Sequence, residues 1–319
     1  MTTPEPPSLP ILTQRIGDFR ALVRMQSGSL ITSVFGDVVL PRGGHIWLGS
    51  LIRLLAPLGL NERLVRTTVF RLLKDEWLST RAQGRRTDYH LTPAGEALFL
   101  QASQHIYATE SPTWDRQWRL LLVVGDLPAK AREQLRRALF WQGFGDLGQG
   151  KWVHPFADLQ AVLHSLESEG LGPHLHALLP MQTQAMSTPG TLSDREVVAK
   201  AWDLRDLAGR YRQFESTYRP ILAELQAHAP SALTPERALE LRLLLIHDFR
   251  RLLLRDPELP LALLPPDWPG QSARDLCQAL YRRVLKPSEK QLDAWFQLSD
   301  GSVPAAGPLL KQRFTSPRS

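Results

Sequence analysis

The sequence predicts a multidomain α+β protein: an N-terminal winged helix-turn-helix, a central ferredoxin-like α/β module and a C-terminal helical domain. Three observations support this prediction. A helix and a basic hairpin occupy 58–91, strand and helix patterns then alternate over about 70 residues, and the chain is almost wholly helical from Asp194. Breaks at Ser111-Pro112 and Pro189-Gly190 separate the three parts.

These breaks and the composition of the ends predict five segments. We expect a flexible N-terminal arm at 1–26, a winged-helix DNA-binding domain at 27–110 and a ferredoxin-like module at 111–188. A helical domain at 189–300 and a tail at 301–319 follow. The arm is assigned because its start is rich in proline, which is typical of disordered termini.

Composition limits the class of protein. Of the 319 residues, 43% are hydrophobic, which is enough to fill several cores and argues against global disorder. The single cysteine, Cys277, can build neither a disulfide framework nor a Cys-based zinc site, which predicts a reducing cytoplasm. Charges interrupt the most apolar region, Leu239 to Leu254, and the N-terminus lacks a signal-peptide pattern, so we expect no membrane association.

Basic residues are concentrated in one short stretch. The formal net charge is +6, and the segment from Asn61 to His90 holds seven basic and four acidic residues, which is half of that excess. A local positive surface favours a polyanionic partner such as DNA. The alternative is a small α/β domain with a solvated basic face.

A helix-turn-helix is indicated by apolar spacing and helix caps. Helices are predicted from Ser27, from about 46 to 56, and from 62 to 75, with Asn61 as N-cap of the third. On a helical wheel the core side of this third helix holds Val65, Val69, Leu72 and Leu73. The opposite side is polar, as a major-groove helix requires, and only Phe70 departs from it. Phe70 either contacts a thymine methyl or packs under the hairpin.

A basic hairpin follows this helix. Residues 77–81 and 87–91 alternate with strand period, Gly84 supplies the turn, and Thr92-Pro93 starts a fourth helix that reaches about Tyr107. Arginines at a hairpin tip can reach phosphates or the minor groove. The candidate DNA contacts of helix and hairpin are Arg63, Arg66, Thr67, Thr68, Arg71, Lys74, Arg81, Arg85 and Arg86.

Two motifs in the central module resemble functional sites. Gly143 to Gly148 matches GxGxxG, but it follows a helix and enters a strand, so we interpret its glycines as turn residues. Asp126 ends the first strand, where a metal nuclease could keep a carboxylate, but a helix cap is the more common role. His247-Asp248 is no catalytic pair, because adjacent helix residues point about 100° apart. We therefore expect no enzyme.

Long strings of the sequence resemble the PaaX family. The N-terminal match is SLITSVFGDVVLPRGGHIWLGSLIRLLAPLGLNERLVRTTVFRLLKDEWL followed by GRRTDYHLT. The C-terminal matches are AWDLRDLAGRYRQF, HDFRRLLLRDPELPLALLPPDWPG and ARDLCQALY. In one departure, Asp75-Glu76-Trp77 stands where many relatives have a glycine before the tryptophan, which should alter the turn between helix and hairpin.

The resemblance implies a function and partners. It implies a cytoplasmic repressor of phenylacetic acid catabolism, with a central module similar to the CRISPR-associated Cas2 fold that forms a homodimer. Such a repressor binds a double-stranded DNA operator and leaves it when phenylacetyl-CoA or a related aryl-CoA binds; no cofactor is implied. The alternatives are a winged-helix transcription factor without a CoA effector and, against the lack of a catalytic constellation, a metal nuclease or a CoA-using enzyme.

An aryl-CoA site needs cations for its phosphates and an apolar slot for its ring. The C-terminal part offers both, and the candidate effector-binding residues are His247, Arg250, Arg251, Arg255 and Trp268. For each of them, a solvated arginine or a side chain anchored in the core remains the alternative.

Overall fold

The computed structural model describes residues 9–184 and 190–315, apart from the side chains of 23–25. Its contacts divide into two units. Unit 1 is drawn from Met1–Thr109, Arg212–Arg251 and Gln271–Ser319, and unit 2 from Glu110–Tyr211 and Leu252–Gly270. Helices and two antiparallel sheets build these units, so the mixed α+β class is confirmed.

The first helix, α1, runs over Pro10–Val34 and shows that the predicted flexible arm is wrong from Pro10 onward. Its N-terminal half is anchored by three buried apolar residues at helical spacing: Leu12, Ile16 and Phe19. The carboxylate of Glu224 accepts hydrogen bonds from the first free amides, those of Ile11 at 2.8 Å and Leu12 at 3.0 Å. Proline is tolerated at the first helical position, so it did not prevent a helix here.

The chain then turns sharply into a short strand. A π-helical turn at Phe35–Val39 and a 3-10 turn at Leu40–Arg42 follow α1. The strand β1, His45–Trp47, precedes helix α2, Leu48–Leu55. The sequence predicted one helix across both, because a three-residue strand shows no period of its own.

Helix α3 and the hairpin agree closely with the sequence prediction. The elements are α3 at Glu62–Lys74, β2 at Leu78–Gln83, β3 at Arg86–Leu91 and α4 at Pro93–Ile106. The strands form an antiparallel sheet in the order β1-β3-β2. Both predicted caps are confirmed: Asn61 accepts from the amide of Leu64 at 2.9 Å, and Thr92 from that of Gly95 at 3.0 Å.

Unit 2 contains a four-stranded antiparallel sheet with the order β5-β6-β4-β7. Its elements are β4 (Trp118–Val123), α5 (Ala129–Trp141), β5 (Gly145–Asp146), β6 (Lys151–His154), α6 (Leu159–Leu166) and β7 (Leu178–Thr183). The β-α-β-β-α-β order is that of ferredoxin-like units. One sheet face packs under α5 and α6 through a core that includes Leu121 and Leu139.

Of three predictions about this part of the chain, two change and one is confirmed. The last strand lies at β7 and not at 174–179, because Gly172–Ala177 forms 3-10 turns. Gly143 and Gly148 have positive φ on either side of β5, which confirms them as turn residues. Asp126 does not cap α5, since Pro128 holds the N-cap position without a side-chain hydrogen bond. Pro189 of the predicted second linker lies outside the described residues.

The C-terminal part is helical, as predicted. Its helices are α7 (Asp194–Ala201), α8 (Leu204–Ala227), α9 (Pro235–Leu253), α10 (Gly270–Trp295) and α11 (Pro308–Lys311). Helix α10 extends ten residues beyond the predicted end at Leu285, and Pro287 lies inside it.

The predicted separate domain at 189–300 and the tail at 301–319 are corrected. Arg212–Arg251 and Gln271 onward share unit 1 with the N-terminal helices, because α9 is apolar around most of its circumference and needs partners on several sides. Near the C-terminus, Phe314 is only 2% exposed and its amide donates to the carbonyl of Tyr107 at 3.1 Å. The predicted tail is therefore ordered in this region.

Candidate nucleic-acid interface

Helix α3 presents a continuous exposed stripe. Its inner side is buried at Val65, Val69 and Leu72, and these side chains hold the helix against the rest of unit 1. On the opposite side, residues spaced by four, three and four positions share one direction and are exposed: Arg63, Thr67, Phe70 and Lys74. We call these four residues the α3 stripe. It offers two cations, a hydroxyl and an aromatic ring to a partner.

Phe70 belongs to this stripe and does not pack under the hairpin. Its side chain is 69% exposed, although it is the largest apolar side chain on α3. This rules out one of the two roles that the sequence left open. A solvent-exposed ring between two cations suits a partner with apolar groups as well as negative charge.

The polar side chains of α3 that lie outside the stripe differ in their contacts and exposure. Arg66 forms an exposed ion pair with Glu62 at 2.6 Å, one helical turn away. The guanidinium of Arg71 lies against Gly28 of α1, where any side chain would collide with it. Thr68 is only 6% exposed and faces the core, so its prediction as a DNA contact is wrong. The sequence misled here because a threonine is polar enough to pass for a surface residue.

The end of α3 adopts the turn that a glycine would favour. The amide of Trp77 donates to the carbonyl of Leu72 at 3.0 Å, and that of Glu76 to Leu73 at 3.1 Å. This bond pair is a Schellman motif, in which the residue after the cap has positive φ. Glu76 has φ of 59°, so a non-glycine residue occupies the left-handed region here.

The hairpin turn places one arginine at its tip. Gly84 and Arg85 form a two-residue turn between β2 and β3, and Gly84 has φ of 61°. Gly84 fits the first position of a type II′ turn, where glycine is preferred. Arg81 and Arg85 are exposed. Both therefore present charge to solvent on the hairpin.

Arg86 makes internal contacts that the sequence did not predict. Its guanidinium lies 4.6 Å from the ring centroid of Trp47 and donates to the carbonyl of Ser299 at 3.3 Å. Next along β3, Asp88 is only 7% exposed and accepts two hydrogen bonds from Ser299. The strand pattern in the sequence did not predict that the carboxylate of Asp88 is buried.

The predicted effector residues are divided between the two units. His247, Arg250 and Arg251 belong to unit 1, whereas Arg255 and Trp268 belong to unit 2. In unit 2, Arg255 is exposed, and the ring of Trp268 packs edge-on against Tyr211 with centroids 5.9 Å apart. For Trp268, anchoring beside an apolar cluster is therefore the observed role.

His247 is an internal residue of unit 1. Its ring is fully buried, lies edge-on to Phe19 with centroids 5.8 Å apart, and places Nε2 3.1 Å from Oε1 of Gln26. Burial lowers the pKa of His247 to about 4, and the nearby Arg250 and Arg251 act in the same direction. The imidazole is therefore neutral at pH 7.

Arg250 points at α1 and meets only neutral acceptors among its described contacts. Its guanidinium donates to the hydroxyl of Ser33 at 2.9 Å and to the hydroxyl and carbonyl of Ser29 at 2.7 and 3.0 Å. Burial, helped by Arg251, lowers the pKa of Arg250 to about 10, so it stays charged at pH 7. Arg251 is exposed and donates to Gln26 at 2.9 Å.

Unit 1 contains a buried ionic network that was not predicted from the sequence. Asp37, in the π-helical turn, is paired with Arg242 of α9 at 2.7 Å and with Arg313 near the C-terminus at 2.6 Å. The hydroxyls of Tyr107 and Tyr281 also donate to Asp37. Burial raises the pKa of Asp37, but the two arginines outweigh it and hold that pKa below the usual range.

The described residues show neither a metal-binding cluster nor a membrane-spanning helix. Among the described residues, no group of three or more His, Cys, Asp or Glu side chains has a geometry that could hold a metal ion. No helix within 9–184 or 190–315 has the length and apolar character needed to cross a bilayer.

Comparisons with known proteins cover nearly all of the chain. Family models match residues 26–95 (PaaX-like protein), 111–190 (PaaX protein central Cas2-like domain) and 202–294 (PaaX-like protein C-terminal domain). "Transcriptional repressor PaaX" of Escherichia coli (strain K12) is 40% identical over 295 residues, which is 92% of this chain and 91% of that protein.

A solved structure also aligns with the chain. It is the uncharacterized protein Rv0674 from Mycobacterium tuberculosis, with 22% identity, a TM-score of 0.46, and coverage of 75% of this chain and 89% of that one. The three family models and the extensive match to the Escherichia coli protein lead to one conclusion. The chain belongs to the PaaX-like protein family.

Proposed function

We propose that this protein is a DNA-binding transcriptional repressor and that α2, α3 and the β2-β3 hairpin act as a winged helix-turn-helix. The observation that carries the proposal is the α3 stripe, exposed beside a hairpin with a basic tip in the same unit. Helices of this kind enter the major groove, and hairpin tips contact the backbone or minor groove. The name of the Escherichia coli relative, Transcriptional repressor PaaX, is consistent with this role.

Base recognition is assigned to α3. Arg63, Arg66 and Arg71 can form paired hydrogen bonds with guanine, and Phe70 can contact a thymine methyl. Lys74 and Thr67 suit phosphate contacts, as do Arg81 and Arg85 of the hairpin. The activity proposed is binding and release of DNA, without catalysis.

A homodimer is the proposed operator-bound form. Strand β7 lies at the end of the sheet order, and three apolar side chains beside that edge are 40% to 63% exposed: Val124, Leu179 and Met181. On the neighbouring strand β4, Leu120 and Leu122 are paired with Met181 and Leu179 and therefore point to the same face of the sheet. Burial of this patch against a second copy would pair two recognition helices, about 34 Å apart on DNA.

An aryl-CoA such as phenylacetyl-CoA is the proposed effector. Arg250 is the best-supported candidate for a phosphate contact, because its charge meets neutral oxygens of Ser29 and Ser33. Arg251 is exposed beside it. A 100-fold release of operator requires the ligand to favour the DNA-free form by about 2.7 kcal/mol.

Mobility shift with the DNA upstream of the gene, with and without phenylacetyl-CoA, tests this function. We expect a shift that phenylacetyl-CoA reverses. Absence of a shift would contradict the repressor assignment. A shift that no acyl-CoA changes would identify a transcription factor without this effector, and metal-dependent cleavage of the probe would identify a nuclease.

A further inference from the structure

A short segment after α10 crosses the three-stranded sheet of unit 1. It comprises Phe296–Ser302 and begins just beyond residue 294, where the C-terminal family match ends. The carbonyl of Gln297 accepts from the amide of Trp47 at 3.3 Å and from the hydroxyl of Ser50 at 3.0 Å. That hydroxyl also accepts from the amide of Gln297 at 3.0 Å. These bonds fix the segment to β1 and the start of α2.

Ser299 then joins this segment to both strands of the hairpin. Its amide donates to Asp88 at 2.8 Å, and its hydroxyl lies 2.5 Å from the other carboxylate oxygen of Asp88. The same hydroxyl is 2.9 Å from Oε1 of Gln83 on β2. Asp88 is buried as a result, and a buried carboxylate is stable only while such donors stay in place.

The third partner of Ser299 is next to the hairpin turn. This partner is Arg86, which donates a hydrogen bond to the carbonyl of Ser299 and whose guanidinium stacks on Trp47. Gln83 and Arg86 face each other in the strand register and flank the Gly84-Arg85 turn. Ser299 therefore holds the hairpin at the pair of residues closest to its tip.

The hairpin needs such a support. Beyond Leu78, every residue of β2 is exposed, so the outer strand has almost no core to fix its direction. Strand β1 pairs with β3 only from Asp88 to His90, so the outer end of the hairpin has two strands, and two strands without an apolar face are marginal in water. By contrast, α3 is fixed by its own buried side chains. The direction of Arg85 thus depends on contacts made by the segment after α10.

We propose that Ser299 is a positioning residue that holds the hairpin at the angle from which Arg85 reaches the DNA backbone. Asp88 and Arg86 are the hairpin's side of this contact, and the end of α10 thereby controls DNA affinity. The inference rests on the proposed DNA-binding function. It also gives Arg86 a positioning role in place of the predicted direct contact with DNA.

The test compares Ser299→Ala with Ser302→Ala in the full-length chain. Ser302 lies in the same segment and bonds to Asp300 at 2.6 Å, away from the hairpin. Amide hydrogen exchange of residues 81–87 is measured without DNA. We expect faster exchange in Ser299→Ala only, because this variant loses the hydroxyl that contacts Asp88 and Gln83 and keeps only the backbone contacts of residue 299. Equal exchange in both variants and the wild type would overturn the proposal.

Operator affinity supplies the second readout. We expect Ser299→Ala to bind about tenfold more weakly and to lower the slope of log affinity against log salt by about 0.9, which corresponds to one lost phosphate contact. In an Arg85→Ala background, Ser299→Ala should have little further effect, because both changes remove the same contact. Fully additive losses would contradict positioning through Arg85.

These readouts separate failure of the inference from failure of the proposed function. If the wild type bound no DNA, the proposed function would fail, but hydrogen exchange would still decide whether Ser299 holds the hairpin. If Ser299→Ala did not fold, Arg86→Met would replace it, since Arg86 is exposed and its loss removes a bond to Ser299. Unchanged exchange at 81–87 in Arg86→Met would then overturn the proposal.

Discussion

Asp37 and Arg242 form a buried ion pair across 205 positions of the sequence, with 2.7 Å between the carboxylate and Nε. Asp37 is 2% exposed, and Arg242 is fully buried. Arg242 also donates to the hydroxyl of Ser288 at 3.2 Å. The turn after α1, helix α9 and helix α10 therefore meet at one charged centre. This network joins α9 and α10 to the turn after α1, in the unit that also contains the candidate DNA-binding elements.

Asp37→Asn should destabilise unit 1 strongly. Neutralising Asp37 leaves Arg242 and Arg313 buried without their shared countercharge, which typically costs about 3–5 kcal/mol of unfolding free energy. Chemical denaturation of the two proteins measures the difference. Asp206→Asn is the control, because Asp206 pairs with Arg210 at the surface and its loss should be barely detectable. A similarly small effect for both variants would contradict the role of Asp37.

His247 should make stability depend on pH. Its folded pKa of about 4 lies below the ordinary histidine value, so the unfolded chain binds the proton more readily. The contribution of His247 is therefore complete above pH ~6.5 and is lost as the pH falls towards 4, by roughly 3 kcal/mol in total. In His247→Gln the loss of stability between these pH values should be smaller.

Two other histidines serve as references in this pH measurement. His154 in unit 2 has its pKa lowered to about 3 by burial, so part of the acid destabilisation should persist in His247→Gln. His164, whose side chain is 84% exposed, supplies the control variant His164→Gln, with the wild-type pH dependence expected. A wild-type pH dependence in His247→Gln would be incompatible with the buried neutral imidazole.

Phe70→Ala should change DNA binding without changing stability. The ring is 69% exposed, so its removal leaves no cavity. If Phe70 contacts a thymine methyl, the variant should lose about 1 kcal/mol or more of discrimination at one base pair. Binding to single-base operator variants measures this preference, with thermal unfolding as the control. An unchanged preference at every position would exclude base contact by Phe70.

Glu76→Gly should stabilise the protein. Glu76 has φ of 59° in the Schellman turn, and glycine adopts such angles without the cost of about 1 kcal/mol that a side chain incurs. Thermal unfolding should show a higher midpoint for this variant. Asp75→Gly is the matched control, since Asp75 has φ of −80° and gains nothing from glycine. A lower midpoint in Glu76→Gly would show that the turn is not strained.

Local signals accounted for most of the elements that surround the candidate site. Asn61, Gly84 and Thr92 each act within three residues of their own position, and the structure confirms all three. The burial of Thr68 and the contacts of Arg86 with Trp47 and Ser299 were not predicted, because they depend on partners elsewhere in the fold.

Distant contacts account for what the sequence could not predict. Glu224 caps α1 from 213 positions away, and Ser299 buries Asp88 across 211 positions. No pattern along the chain encodes such pairs, so the N-terminal arm and the tail were predicted as unstructured. Their helix and their buried residues exist only because α8, α9 and α10 are nearby in space.

The central claim is that the α3 stripe binds DNA, and a comparison of two double variants tests it most directly. Arg63→Ala/Lys74→Ala removes two charges from the stripe, and Arg136→Ala/Arg137→Ala removes two from α5, where both arginines pair with Glu133 at 2.8 Å. Fluorescence anisotropy on upstream DNA should show a loss of affinity of more than about tenfold for the first pair and little change for the second. Equal losses, or none in the α3 variant, would contradict the account.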